Sequence, residues 1–495
     1  MNEKLKHLQE KMSAYRHALT LLNYDGETTA PKGTAENRAH AMSFLSEEFY
    51  KLSVGSETDE LLESLDKDKE NLTPEDVRCL ELLLKNIRDM KKIPMEEFIA
   101  YSQLRVASSD VWHRAKVEND WEAFKPYLEK IIETEVRFAG HCAPEKDPYD
   151  YMLDSYEEGL TQKTCDEFFD TLRSRLVPLI KKIQDSPQVD DSILHGPAPV
   201  HKQEEFAYYL MDLIGLDRDH CGLSTTEHPF TTSLGSHYDV RITTHYYPED
   251  FSDSMFSVIH EGGHALYDQN PKAEYAYTVL DGGVSMGVHE SQSRFYENIL
   301  GRSREFINLI YPKLKELFPQ VIGDADPEQV YKAINKVQPS LIRIASDEVT
   351  YSLHVMVRYE LEKRLVSGQL KVDDLPEEWN RLYKEYLGVD VPDYTRGVLQ
   401  DSHWSTGLLG YFPSYALGSA YGAQLLSVMK NEVDVESAIK AGDLSPINAW
   451  NKEHIWQHGH FYKPAELLER AFGGPFNPQH YVDYLEKKYS DIYGF

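Results

Sequence analysis

The sequence has few cysteines, and their spacing excludes several kinds of site. The 495 residues contain only four, Cys79, Cys142, Cys165 and Cys221, with no Cys-x-x-Cys pair among them. Paired spacing is typical of zinc-thiolate and redox motifs, and disulfide-stabilised domains are usually short and cysteine-rich. We therefore predict four reduced thiols in a protein core.

Long apolar runs are also lacking. No stretch approaches the roughly 20 consecutive apolar residues that a membrane-spanning helix needs. The opening segment "MNEKLKHLQEKMSAYRHALTLLNYD" has no uninterrupted apolar core of the kind found in signal peptides. We expect a cytoplasmic protein with no membrane segment.

Basic charge is scarce. The chain has 52 Lys and Arg against 82 Asp and Glu, a formal net charge of −30. Nucleic acids and anionic membranes bind dense basic surfaces, so neither is an expected partner. Most of the negative charge is expected to serve solubility, and an acidic channel that favours basic peptides is the alternative.

What is present indicates a folded, mostly helical protein. Thr73 and Pro74 form a typical helix start, and Thr161 opens a similar segment. The segments "PEEWNRLYKEYLG" and "PAELLERAFG" begin with proline and end with glycine, as many helices do. The acidic segment over residues 53–76 is interpreted as a surface connection.

Strand patterns are confined to "FTTSLGSHYDVRITTHYY", residues 230–247. Its β-branched and aromatic residues flank a Leu-Gly-Ser turn, which predicts a hairpin. The fold class is therefore mainly α: a large helical body with a deep active-site groove and one small β-sheet. We predict a single domain over residues 1–495, with an N-terminal helical part (about 1–200) and a metal-bearing catalytic part (about 201–495).

The segment "VIHEGGHALYD", residues 258–268, carries the chemistry. We predict a helix that begins near residues 250–252 and ends at residues 270–271. His260 and His264 are four residues apart, so they lie on one helix face and can hold one zinc ion. Glu261 can act as general base on a water that the metal activates. The plain alternative is two surface histidines on an ordinary helix.

A catalytic zinc usually takes three protein ligands and keeps one position open. Glu290 in "HESQSR" is the candidate third ligand, on a second helix that ends near Gly301. His289 and Glu297 compete with it. Gly262 and Gly263 would let a neighbouring helix or loop approach the motif helix closely.

Five motifs together resemble the carboxypeptidase Taq family: "HEGGH", "HESQSR", "HPF" (228–230), "DVRIT" (239–243) and "GVLQDSHW" (397–404). This resemblance covers nearly the whole chain. It implies a zinc carboxypeptidase that removes single residues from peptide C-termini, and it implies a homodimer. The family pattern Ile-Arg-x-x-Ala-Asp appears here as "IRIASD" (342–347), with Ser346 in place of alanine, which puts the local packing in doubt.

An exopeptidase of this kind must bind a terminal carboxylate, and arginine can bind both of its oxygens. The candidates are Arg343 and Arg241, and the resemblance favours Arg343. In the structural alternatives, Arg343 pairs with Asp347 and Arg241 pairs with Asp239. The exposed edge of the hairpin could also pair with an extended peptide.

The oxyanion that forms during hydrolysis needs a hydrogen-bond donor. His403 is one candidate, His228 is a second, and Tyr415 is favoured over Tyr411 as a phenolic donor. Gln400 and Asp401 are expected to orient His403 or to contact substrate. Any of these side chains could instead be structural.

The sequence thus predicts a zinc metallocarboxypeptidase acting on peptides with a free C-terminus. Cobalt and manganese are alternative metals, because imidazole and carboxylate ligands accept several ions. Two other functions remain open at this stage: an oligoendopeptidase of related helical fold, and a non-catalytic peptide-binding protein with a structural metal.

Overall fold

The computed structural model describes residues 2–495, and 69% of the chain is helical, which confirms the mainly α prediction. The first nine helices are α1 (Glu3–Thr28), α2 (Ala35–Val54), α3 (Ser56–Lys67), α4 (Pro74–Lys92), α5 (Met95–Glu118), α6 (Trp121–Cys142), α7 (Pro148–Asp154), α8 (Gln162–Gln184) and α9 (Val200–Ile214). Three strands follow: β1 (Cys221–Thr225), β2 (Thr231–Ser233) and β3 (Val240–Thr244).

Helices make up the remainder of the chain. They are α10 (Phe251–Gln269), α11 (Met286–Arg294) with a π-helical continuation (Phe295–Leu300), α12 (Arg304–Leu317), α13 (Pro319–Ile322), α14 (Pro327–Ile334), α15 (Glu348–Val366), α16 (Leu375–Leu387), α17 (Pro413–Met429), α18 (Val435–Ala441), α19 (Ser445–His454), α20 (Pro464–Phe472) and α21 (Gln479–Tyr493). Short 3-10 turns lie at Arg343–Ala345 and His403–Thr406.

The capping residues set many of these boundaries as predicted. The side chain of Thr73 accepts a hydrogen bond from the Asp76 backbone N–H at the start of α4, and Pro74 occupies the first helical position. Gly388 ends α16 in the left-handed conformation that favours glycine. The interpretation of the acidic segment over residues 53–76 as a surface connection was wrong. This segment contains α3, which buries Leu62 and Leu65.

The small sheet has the strand order β1-β3-β2. β2 pairs antiparallel with β3, so the predicted hairpin is confirmed, and its loop contains Gly235 at φ 75°. β1, which the sequence pattern did not indicate, pairs parallel with β3 on the other side. β2 is therefore an edge strand, with its outer edge directed away from the sheet.

The metal-motif helix and its neighbours are held by a continuous hydrophobic core that extends from Trp112 to Tyr493. A second core joins α1, α3 and α4 to Tyr275 and Leu280. All four cysteines are buried and free, as predicted. Among residues 2–495, no helix is both long enough and apolar enough to cross a membrane.

Helix α10 lies at the centre of this core and has the predicted ends. The Asp250 carboxylate accepts hydrogen bonds from the Ser252 and Asp253 backbone N–H groups at its start, and Asn270 follows its last residue. α10 packs against α9, β3 and α11, and α11 packs most extensively against α17. The two histidines of α10 therefore face α11.

Candidate active site

His260, His264 and Glu290 converge on one point. One ligand atom from each lies within 4.8 Å of the others, in a cluster that bridges α10 and α11. The Glu290 Oε2 atom lies 3.6 Å from His264 Nε2 and 3.9 Å from His260 Nε2. Two ligand atoms on a tetrahedral zinc ion are about 3.3 Å apart, so the two carboxylate–imidazole separations are within a few tenths of an ångström of the value that a divalent metal needs.

The other nitrogen of each ligand histidine is already hydrogen-bonded. His260 Nδ1 lies 2.8 Å from Glu297 Oε2, and His264 Nδ1 lies 2.6 Å from His289 Nδ1. His289 Nε2 in turn lies 2.9 Å from Asp268 Oδ1. A proton on Nδ1 of both ligand histidines satisfies these contacts and leaves each Nε2 lone pair for a metal.

These contacts separate the three candidate third ligands. His289 and Glu297 lie behind the ligand histidines, on the side away from Nε2, whereas Glu290 faces the Nε2 atoms. Arg294 Nε donates to Glu290 Oε1 at 2.7 Å, which leaves Oε2 toward the histidines. Burial acts to raise the pKa of Glu290, but Arg294 and the two histidines outweigh it and hold that pKa well below its ordinary value.

The adjacent glycines allow this convergence. A Cβ atom on Gly263 would lie 2.6 Å from the Gln292 carbonyl oxygen and 2.8 Å from Ser293 Cα, both in α11. A Cβ atom on Gly262 would lie 2.4 Å from Ile214 Cδ1 of α9. On the other side of α11, a Cβ atom on Gly418 of α17 would lie 2.6 Å from Glu290 Cβ. The backbone of α11 is thus held between two glycine-containing helices.

Glu261 lies in the same cavity wall as His260 and Glu290 and is bonded to the sheet. The Thr231 hydroxyl on β2 lies 2.6 Å from Glu261 Oε2 and 3.0 Å from the Glu261 carbonyl oxygen. Glu261 is buried, with 7% of its surface exposed. The contact fixes one carboxylate oxygen and leaves the other available in the groove.

A cavity of about 920 Å³, the metal-side cavity, opens over this cluster. Its wall includes His260, Glu261 and Glu290, together with Arg343, Tyr351 and Tyr415. Metal-ligand candidates, a carboxylate base and a guanidinium therefore share one cavity.

The similarity of the chain to known proteins agrees with this geometry. The family model for the carboxypeptidase Taq (M32) metallopeptidases matches residues 4–489. The chain belongs to this family. It is 38% identical over 488 residues to carboxypeptidase 1 of Bacillus subtilis (strain 168), covering 98% of this chain and 97% of that protein. It is accordingly a metallocarboxypeptidase with a divalent-metal site.

Two solved structures are similar over their full length. The M32 carboxypeptidase from Deinococcus radiodurans R1 has a TM-score of 0.97 at 33% identity, covering 100% of this chain and 99% of that one. A Pyrococcus furiosus carboxypeptidase has a TM-score of 0.95 at 36% identity, covering 99% of each chain. The helical M32 architecture is therefore shared throughout the chain.

In this M32 chain, Arg343 lies in the wall of the metal-side cavity and is held by several groups. Its Nε and Nη2 atoms donate to Asp401 Oδ1 at 3.1 and 2.9 Å, and Nη1 donates to the Tyr351 hydroxyl at 3.1 Å. The alternative of an Arg343–Asp347 pair is wrong, because the Asp347 carboxylate caps α15. Arg343 keeps N–H groups for a ligand, since a guanidinium has five.

Arg241 has a different environment. Its Nε and Nη2 atoms donate to the two Asp239 oxygens at 2.5 and 3.1 Å, so the predicted internal pair is present. Arg241 does not line the metal-side cavity, whereas His228 does, from an exposed position in the loop between β1 and β2.

Gln400 and Asp401 contact Arg343 from the side away from the cavity. Gln400 Oε1 accepts from the Arg343 backbone N–H at 3.1 Å, and Asp401 is shared between Arg343 and the fully buried Arg358. Neither side chain lines the metal-side cavity. Both are thus placed to orient an arginine, a possibility that the sequence reasoning had not considered.

His403 and Tyr415 form a pair, with His403 Nε2 3.1 Å from the Tyr415 hydroxyl. Tyr415 lines the metal-side cavity and His403 lies behind it. Burial lowers the pKa of His403 to about 4, although Asp401 acts to raise it, so the imidazole is neutral at pH 7. Tyr411 packs edge-on against Tyr415 and does not line this cavity.

The serine that departs from the family pattern has a defined place. The Ser346 hydroxyl donates to the Arg343 carbonyl oxygen at 2.6 Å and closes the 3-10 turn that presents Arg343. The substitution therefore adds a hydrogen bond at the position where the sequence had put the local packing in doubt.

Sequence reasoning missed three residues that support the site, Thr231, Arg294 and Tyr351. It named Glu297 only as a possible ligand and missed that this residue holds His260 in position. Arg294 contacts Glu290, lies 3.5 Å from Glu297, and stacks 4.1 Å from the Tyr351 ring centroid. Its position four residues after Glu290 on one helix was the available signal. Thr231 and Tyr351 reach the site through the fold alone.

Proposed function

We propose that this chain is a zinc-dependent exopeptidase that releases single amino acids from peptides with a free C-terminus. The observation that carries the proposal is the metal-side cavity, whose wall includes His260, Glu290, Glu261 and Arg343, with His264 completing the metal-ligand cluster beside it. A hydrolytic centre and a terminal-carboxylate receptor in the same cavity are what C-terminal trimming requires.

Two imidazoles and one carboxylate suit zinc, and they also accept cobalt or manganese. A divalent ion held there would polarise the scissile carbonyl and lower the pKa of a water molecule. The proposed ligands are His260, His264 and Glu290. Glu297, His289 and Arg294 would hold them in position, since each already bonds a ligand side chain.

Glu261 is the proposed general base. The Thr231 hydroxyl holds its Oε2 atom, so the carboxylate has a fixed direction beside the ligand histidines. Its free oxygen would accept a proton from the attacking water and then transfer it to the amine that leaves. Burial behind β2 limits competition from bulk water.

Arg343 is the proposed receptor for the substrate carboxylate. It lies at the cavity wall and its orientation is fixed by Asp401, Tyr351 and Gln400. Arg241 is a weaker candidate, because both of its carboxylate-facing nitrogens are bonded to Asp239. Gln400 and Asp401 would act through Arg343, while His228 would contact the peptide itself.

Tyr415 is the proposed donor to the oxyanion. If the neutral His403 carries its proton on Nε2, that proton goes to the Tyr415 oxygen, and the phenolic O–H is free to point into the cavity. His403 Nδ1 is buried without a hydrogen-bond partner among the described residues. Burying an unpaired nitrogen lone pair at this position costs less free energy than burying an unpaired N–H group. This difference supports the tautomer with its proton on Nε2.

The upstream part of the peptide would lie along β2. The backbone groups that face β3 for hydrogen bonding belong to Phe230, Thr232 and Leu234. The backbone groups of Thr231 and Ser233 therefore face outward. An extended peptide could pair with that edge. Its scissile bond would then lie next to Glu261.

Three further proposals complete the assignment. The family resemblance supports a homodimer, and the sequence pattern supports a cytoplasmic location and a single domain whose N-terminal helical part covers about residues 1–200. Size-exclusion chromatography with light scattering would test the first of these. A monomer at micromolar concentration would contradict it.

The activity is tested with one peptide in two forms, with a free and an amidated C-terminus. We expect mass spectrometry to record a ladder that shortens by one residue at a time from the free C-terminus, and no cleavage of the amide. Internal cleavage of both forms would indicate an endopeptidase. No cleavage of either, with zinc retained, would indicate a structural metal.

A further inference from the structure

A second cavity, of about 690 Å³, lies on the other side of the general base. We call it the upstream cavity. Its walls come from α1, α4, β2 and the loop over residues 278–284. It includes Thr231, whose hydroxyl bonds Glu261, so the two cavities meet at that contact.

The position of Arg343 gives the groove a direction. In the proposed binding mode, a peptide whose terminal carboxylate lies in the metal-side cavity continues past Glu261 along the outer edge of β2. All three residues of β2 line the upstream cavity. The upstream cavity is therefore where residues on the amino side of the scissile bond would lie.

Most charged groups in the wall of the upstream cavity already have partners. Asp154 pairs with Lys85 at 2.9 Å, and Glu158 pairs with Arg78 at 2.9 Å. The other carboxylates are also occupied: Asp89 lies 3.4 Å from Lys92, Asp268 bonds Ser233 and His289, and Asp281 bonds His237 at 2.6 Å.

Arg16 of α1 is the exception. It lines the upstream cavity, is half-buried, and makes no hydrogen bond or ion pair within the part of the chain that the structure describes. Asp281 acts on it electrostatically, but Asp281 Oδ1 is bonded to the His237 ring, and Oδ2 lies 3.2 and 3.3 Å from the His237 and Tyr277 backbone N–H groups. Burial lowers the pKa of Arg16, which reflects the cost of removing a guanidinium from water.

We propose that Arg16 is the anion-binding residue of an upstream substrate subsite and favours peptides with Asp or Glu on the amino side of the scissile bond. The inference rests on the proposed function, because it assumes the same groove and the same direction of binding. A side-chain carboxylate would supply the bidentate partner that Arg16 lacks.

The net charge of −30 does not oppose this preference. Exposed charges are largely screened beyond about 8–10 Å at physiological ionic strength. The negative charges of the carboxylates near Arg16 are balanced by their own hydrogen-bond and ion-pair partners. The contact with Arg16 would therefore determine whether this position prefers an acidic or a neutral side chain.

The test uses peptides with a free C-terminus that carry either Glu or Gln one, two or three residues upstream of the scissile bond. We expect kcat/KM for initial release of the last residue to be roughly tenfold higher for Glu than for Gln at one of these positions. Arg16→Gln should reduce the Glu-to-Gln ratio to near one, and Arg16→Lys should retain part of it. Lys11→Gln, an exposed charge change on the same helix, should leave the ratio unchanged.

The outcomes separate this inference from the proposed function. If the Gln peptides are not shortened from the C-terminus, the proposed function fails. If they are shortened but the wild-type ratio is near one at all three positions, the subsite is wrong. A Glu-to-Gln ratio that is unchanged in Arg16→Gln would also overturn the subsite. So would an equal loss of kcat/KM on the Glu and Gln peptides together with a lower Tm, because Arg16 would then be a structural counter-charge for Asp281.

Discussion

At the scale of single residues, the site consists of an inner set that the sequence reveals and an outer set that it does not. His260, Glu261 and His264 are four or fewer residues apart on one helix, so helical periodicity alone relates their side chains. Thr231 lies 30 residues from Glu261, and Tyr351 lies on another helix, α15. Their positions depend on tertiary packing, which no local pattern encodes.

Glu261→Gln tests the most specific residue assignment. The amide oxygen can still accept from Thr231, so the side chain should keep its place while losing its basicity. We expect zinc content by elemental analysis to stay near one per chain and kcat to fall by roughly 10²–10⁴-fold. Glu274→Gln, a similar change at an exposed position, is the control. Near-normal turnover in the zinc-loaded Glu261 variant would contradict the general-base assignment.

At the scale of elements, helices were predictable where caps mark them and the sheet was only partly so. Thr73, Thr161 and Asp250 cap the helices that they were expected to cap. β1 has few β-branched residues and forms because β3 is available to pair in parallel. α3 was missed because its acidic composition obscured Leu62 and Leu65, which pack into the second core.

The close approach of α10 and α11 gives a prediction about Gly263→Ala. Alanine would favour the helix by roughly 1 kcal/mol in an open position, but here its Cβ would meet the α11 backbone at 2.6 and 2.8 Å. We expect a net loss of roughly 1–3 kcal/mol in the free energy of unfolding and weaker metal retention, because Glu290 would shift from the histidines.

The matched control is Gly140→Ala in α6, where a Cβ atom would have no neighbour within 4 Å. That exposed helical position should show unchanged or higher stability and unchanged metal content. Denaturant unfolding and elemental analysis of both variants measure the difference. Equal stability changes at the two positions would mean that the Gly263 contact does not constrain the helix pair.

At the scale of the whole molecule, the metal-site residues lie against a large hydrophobic core. The large core extends from Trp112 to Tyr493, and the proposed ligands already have protein partners in Glu297, His289 and Arg294. A protein that folds only around its metal typically lacks such a core and is unfolded by chelation. This chain should behave differently.

Chelation should therefore abolish activity and leave the fold intact. Losing a metal present at 1,000 times its dissociation constant removes about 4 kcal/mol of stability. At about 2.1 cal/mol/K per residue, 495 residues give an unfolding entropy near 1 kcal/mol/K, so Tm should fall by only about 4 °C. Circular dichroism before and after chelation, followed by addition of Zn²⁺, Co²⁺ or Mn²⁺, measures both the fold and the recovery of turnover. Global unfolding on chelation would instead show that the fold depends on the metal, and the loss of turnover could then not be assigned to a hydrolytic centre at His260, His264 and Glu290.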